Sequence, residues 1–195
     1  MPIKPFLQKS AFLILYCTCL LLSPCIRAKT ALADDIIWLN IETKHTIICY
    51  QSLKDLTKFN NKVDYSPDAG SLRWIFTGSD GNPFTERIKN KVDMLYERVK
   101  EILGMYKGME KVFIHVFRDQ GQLHTAYYDI YGRETRLRAW YIFERNTIYI
   151  NVNDLHEGIL AHEMAHAIID NYLTVRPPTA SAEILARYVD EHLVQ

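Results

Sequence analysis

The hydrophobic positions of the chain change their spacing along its length. Residues 11–22 form one apolar run broken only by Thr18. Lys4 and Lys9 precede it, and the small-x-small site Ala31-Leu32-Ala33 follows. This order is that of a secretory signal peptide, which predicts residues 1–33 as a leader cut after Ala33 and residues 34–195 as a single exported domain. A membrane span needs about 20 apolar residues. The run is short of that, so an N-terminally membrane-anchored form is the alternative and a periplasmic or secreted domain the main expectation.

Beyond the leader the pattern alternates between strand and helix periods. Residues 36–41 and 46–50 are short β-rich runs. Ser52 and Asp55 form a capping pattern that opens a short helix, with Leu53, Leu56 and Phe59 on one side. Residues 64–83 are rich in Gly and Pro and read as loop, with a strand-like patch at 72–76. Ile88, Val92, Leu95, Val99 and Ile102 recur at helical spacing, which predicts an amphipathic helix capped by Thr85 and stopped by Gly104. Residues 112–117 (VFIHVF) match a buried strand, whereas 119–135 are polar, Tyr-rich and Gly-broken and read as a long loop. Residues 137–143 and 147–151 predict a hairpin through Glu144-Arg145-Asn146. A helix over 154–173 starts at Asp154 and Glu157, and Pro177-Pro178 stops it; a last helix runs from about Ala180 to the end. Strands, helix, strands and two helices predict an α+β domain with its helices packed on one sheet.

Composition narrows the classes of function. Of 195 residues, 23 are basic, 23 acidic and 48% hydrophobic. The formal charge of zero excludes a strongly basic nucleic-acid binder. Loss of the leader removes Lys4, Lys9, Arg27 and Lys29 and no acid, which leaves a mildly acidic domain. It also removes Cys17, Cys19 and Cys25, so Cys49 stands alone and no internal disulfide can form. Core packing must then hold the domain, and a bound metal could help.

The predicted helix over 154–173 supplies that metal chemistry. It contains His162-Glu163-Met164-Ala165-His166, an HExxH pattern. Residues four apart lie one above the other on a helix, so both imidazoles can reach one ion. Glu163 is turned about 100° away, where a general base can border the metal without binding it. The helix is apolar almost all round and therefore buried, and buried polar groups need partners. A catalytic zinc site uses three protein ligands and keeps one position open. The HExxHxxGxxH arrangement is excluded, because Ile169 and Tyr172 stand at its Gly and His positions. Glu183 on the following helix is the third candidate, flanked by the small residues Ala180, Ala182 and Ala186. Asp190, Glu191 and His192 are further candidates. One Zn2+ per chain is the expected cofactor. His45, His115, His124 and His156 are given no function.

HEMAHAIID followed by EILARYVDEHL resembles the gluzincins, and in size the small single-domain minigluzincins; the specific part covers residues 158–191. The resemblance implies a zincin-like fold: a mixed sheet with a backing helix, an HExxH active-site helix and a C-terminal glutamate helix. It implies zinc on His162, His166 and Glu183, Glu163 as general base, support of the site from Asp170, and hydrolysis of peptide bonds. The absence of a GxMEN-type segment counts against an aminopeptidase and for an endopeptidase acting on a peptide or protein. Larger members of the family continue past the glutamate helix into a subdomain that supplies an oxyanion donor. Here the expected donors are Tyr127, Tyr128, Tyr131 or Tyr188, or a partner that completes the cleft. The hairpin strand nearest the cleft is expected to pair with an extended peptide. Two other readings share the zinc. One is a binding or scaffold domain that has lost turnover. The other is a latent enzyme masked by residues 64–83, with Cys49 on the metal.

Overall fold

Five strands form one mixed sheet in the computed structural model, which describes residues 37–65 and 82–193. The leader, the strand-like patch at 72–76 and most of the proposed mask lie outside the described residues. The elements follow in the order β1 (Leu39–Glu42), β2 (Thr46–Tyr50), α1 (Leu53–Lys62), α2 (Pro83–Leu103), β3 (Val112–Phe117), α3 (Gln120–Tyr131), β4 (Ala139–Ile142), β5 (Thr147–Asn151), α4 (Glu157–Tyr172) and α5 (Thr179–His192). The sheet order is β1-β2-β3-β5-β4. The β2–β3 and β3–β5 pairs are parallel, and the two outer pairs, β1–β2 and β4–β5, are antiparallel. The domain is α+β, as expected, and among the described residues β4 lies at the edge of the sheet.

Strand alternation divides the core. Ile48, Val112, Ile114, Val116, Ile148 and Ile150 point to one face and pack with α1, α2, α4 and α5. Phe117, Trp140, Ile142 and Tyr149 point to the other and pack with Leu123 and Tyr127 of α3. Among the described residues no helix is long and apolar enough to cross a membrane.

Four local expectations need correction. Residues 119–135 are not a loop, because α3 occupies most of them. Asp119 caps the helix by accepting from the Gln122 N–H at 2.9 Å, and Gly132 ends it at φ 65°. Only Leu123 and Tyr127 of α3 are buried, too few for a visible period. Helix α2 starts at Pro83, with Asn82 rather than Thr85 as cap; Pro suits the first helical position because its missing N–H has no partner there anyway. In α1, Leu53 is 66% exposed, so Leu56 and Phe59 alone anchor the helix. Helix α4 is capped by His156, whose Nδ1 accepts from the Ile159 N–H, while Asp154 accepts a bond from Asn151 at 2.7 Å.

The β4–β5 connection is a 3-10 turn (Phe143–Arg145) closed by Asn146 at φ 44°. Asn tolerates this left-handed conformation better than most residues. Its amide also ties three elements together. Nδ2 donates to the Lys111 carbonyl at 3.2 Å, and Oδ1 accepts from Tyr141 Oη at 3.2 Å and from Asn171 Nδ2 of α4 at 2.9 Å. Asn146→Ala is expected to lower stability by about 2–3 kcal/mol, and Asn146→Gly by less, since Gly keeps the backbone conformation. Urea unfolding of the two variants beside the parent measures this.

His115 sits between Trp38 and Tyr149, with ring centroids 4.9 and 5.4 Å away, and beside Cys49 in register on β2. Burial first, and the Arg145 charge second, hold its pKa below the ordinary value. The folded state therefore resists a proton that the unfolded chain accepts near pH 6.5. The stability contributed by neutral His115 is present above that pH and is lost as pH falls toward the depressed folded value. His115→Phe is expected to flatten the decline of stability between pH 7 and pH 5, as read from denaturant midpoints.

Candidate metal centre

Helix α4 is packed by α2, β4, β5 and α5. Leu160, Met164, Ala165, Ile168 and Ile169 fill its buried sides. The polar stripe that remains opens between β4 and α5. On it the rings of His162 and His166 lie one turn apart, with Nε2 atoms separated by 3.3 Å. Helix α5 packs along α4, with Ala182 and Ala186 buried. Glu183 is thereby brought to the same point, its Oε2 3.7 Å from His162 Nε2 and its Oε1 3.4 Å from His166 Nε2.

Donor atoms of these three residues all lie within 4.8 Å of one another. A tetrahedral zinc ion with ligands at 2.0–2.1 Å separates neighbouring donors by about 3.3 Å. The donor set, two imidazoles and a carboxylate, is one that zinc takes.

Asp190 lies on the same face of α5, two turns beyond Glu183. His162 Nδ1 and Asp190 Oδ2 are 2.9 Å apart. With the carboxylate as acceptor, the proton is held on Nδ1 and the Nε2 lone pair is left facing Glu183 and His166. Burial, then the neighbouring His162, depress the His166 pKa below its ordinary value, with Glu183 and Asp190 acting in the opposite sense.

Glu163 is 9% exposed and lies beside the donors without joining them. Burial first, then the carboxylates of Glu183 and Asp190, push its pKa up to about 8, against a hydrogen bond from the Tyr141 backbone of β4. The edge strand therefore runs directly past this carboxylate. Arg138 accepts from the Asn151 N–H across the β4–β5 pair, and Ala139 is opposite Ile150. Antiparallel alternation then turns the N–H and C=O of Ala139 away from β5, toward the free edge. Ala139, His162 and Glu163 line both parts of the cleft. One part, of about 460 Å³, extends to Arg138, His156 and Asp190. The other, of about 350 Å³, extends to Tyr141, Asp170 and Arg176.

His162, Glu163, His166 and Glu183 are thus brought together. Asp190 meets them as the partner of His162 Nδ1 and is not among the three grouped donors. The support expected from Asp170 comes from Asp190 instead, since Asp170 pairs with Arg176 Nε at 3.3 Å. His192 Nδ1 lies 2.8 Å from the Tyr188 carbonyl and its ring stacks on Tyr188, so neither reaches the donors. Tyr127, Tyr128 and Tyr131 are on α3, which covers the opposite face of the sheet, so the structure removes them as oxyanion donors. Cys49 is buried on β2, separated from edge strand β4 by β3 and β5, which keeps it off the metal donors. Sequence reasoning missed Arg176. Its signal was slight: a basic residue in a helix–helix linker, six positions after an acid in the last turns of α4.

Comparison with protein-family models, with curated proteins and with solved structures found no match for this chain.

Proposed function

We propose that the protein is an exported, zincin-like metallopeptidase of the gluzincin type, hydrolysing peptide bonds with one Zn2+ held by His162, His166 and Glu183. One observation carries this reading: three donors of a zinc-type set within 4.8 Å of one another, with a buried carboxylic side chain beside them that is not a donor. Zinc held there would supply Lewis acidity, acidifying water and polarising a carbonyl. The chain's own residues do the rest. Asp190 fixes the tautomer of His162. Glu163 accepts on its carboxylate the proton of the attacking water and delivers it to the leaving amine nitrogen. The outward N–H and C=O of Ala139 pair with an extended substrate, which adds to the sheet as a strand beyond β4. The leader predicted at residues 1–33 underlies the assignment to the periplasm or the exterior.

A second reading, a zinc-bearing binding or scaffold domain without turnover, is favoured by the position of the tyrosines. None of the four expected oxyanion donors lines the cleft. A partner that completes the cleft would serve either reading. Hydrolysis of a mixed peptide library, abolished by a chelator, separates the two.

The purified chain is expected to hold one zinc by elemental analysis, and Glu183→Ala to lose most of it. Glu163→Gln is expected to keep its zinc and lose hydrolysis by about 10²–10⁴-fold. No zinc in the parent, or full activity in Glu163→Gln, would overturn the assignment. Asp190→Ala should weaken zinc binding by about 10–100-fold, measured by competition with a chromogenic chelator.

A further inference from the structure

Asp170 is an acid in an unfavourable place. It stands in the last turn of α4, where the helix dipole disfavours negative charge, and its side chain is only 6% exposed. Its ion-pair partner is Arg176, in the linker between α4 and α5, with Nε 3.3 Å from Oδ2. The guanidinium is also held over the Phe143 ring, 5.0 Å from its centroid. Glu144 lies 3.8 Å from Nη1, beyond hydrogen-bond distance. Both Asp170 and Arg176 line the part of the cleft that contains His166 and Glu183.

The Arg176 side chain is 54% exposed, and an ion pair so open to water contributes little stability. The arrangement is better explained by what it presents. Asp170 engages Nε and fixes the plane of the guanidinium, which leaves terminal N–H groups to donate into the cleft. We propose that Arg176 donates to a backbone carbonyl oxygen of a peptide bound on the His166 side of the centre, and that Asp170 is the residue that positions it. The proposal deepens the metallopeptidase reading and rests on it for the nature of the ligand. The charge of Arg176 is already matched by Asp170, with Glu144 close by. A neutral acceptor with a strong oxygen dipole is therefore favoured over a further carboxylate. A peptide carbonyl is such an acceptor, and every extended substrate carries one at each residue.

The test uses the full chain with Glu163→Gln, so that binding is read without turnover. The probes are two pools of dye-labelled random octapeptides, one without Asp and Glu and one enriched in them, followed by fluorescence anisotropy. Zinc content is measured on each sample. Arg176→Ala is expected to weaken both pools at least tenfold with zinc content unchanged. Arg176→Lys, which cannot keep the planar fork, should recover only part of the loss. Asp170→Asn should weaken binding less than Arg176→Ala, and methylguanidine should partly rescue Arg176→Ala. Equal affinity in Arg176→Ala and its parent would overturn the proposal, and so would a loss confined to the acidic pool or a parent that holds zinc and binds neither pool. A parent that binds peptide through Arg176 but holds no zinc would instead overturn the metal reading and leave this one standing.

Discussion

The side chains of α4 cannot all be satisfied by the core that surrounds it. The helix is buried on most of its circumference, yet it carries His162, Glu163, His166 and Asp170. Unpaired polar groups in such a position cost several kcal/mol each, on the order of the whole stability of a domain when summed. The fold meets this by confining all four to one stripe between β4 and α5 and by bringing a partner to each. Asp190 meets His162, Arg176 meets Asp170, the β4 backbone meets Glu163, and Glu183 approaches both imidazoles.

That solution depends on the position of two neighbours. Helix α5 must come close, and its buried alanines at positions 182 and 186 allow this. Strand β4 must hold its height against α4, and Asn146 provides the connection. Its carbonyl oxygen accepts from Tyr141 on β4 and from Asn171 on α4, so the turn that ends the hairpin is bonded to the helix bearing the site. The outward backbone groups of Ala139 are set by the register of the same hairpin. A slip of one residue would turn those groups inward and move every β4 side chain to the other face.

The parts of this arrangement that were legible in the sequence are those with strong local signals. HExxH at helical spacing, the buried strand 112–117, the hairpin, and Glu183 after a Pro-Pro stop were all readable. What was not legible depended on weak periods or on non-local pairing. Helix α3 presents only two buried side chains, so its tyrosines read as loop, and the candidate oxyanion donors drawn from it fell on the wrong side of the sheet. The exchange of roles between Asp170 and Asp190 was invisible for a different reason. Both acids sit at helical positions that could face His162 or His166, and only the crossing of α5 over α4 decides which one does.

Charge explains why that crossing is not neutral with respect to a ligand. Glu183 and Asp190 are two turns apart on α5 and face the same stripe of α4 that carries Glu163. Three acidic side chains thus converge on two imidazoles, which raises the Glu163 pKa, while Asp170 is already matched by Arg176. Packing alone would be served as well by apolar residues at these positions, as the rest of α4 shows. Water solvates part of this charge, since Glu183 and Asp190 are each 41% exposed, and positive charge among the acids would offset more of it. Histidine can provide that charge by protonation, but burial works against it for His166. A bound cation would provide it without a proton, and three donors of the kind a cation takes are grouped within 4.8 Å here. The same geometry leaves Glu163 beside the three donors rather than among them, the arrangement in which a carboxylate can exchange protons with what binds there.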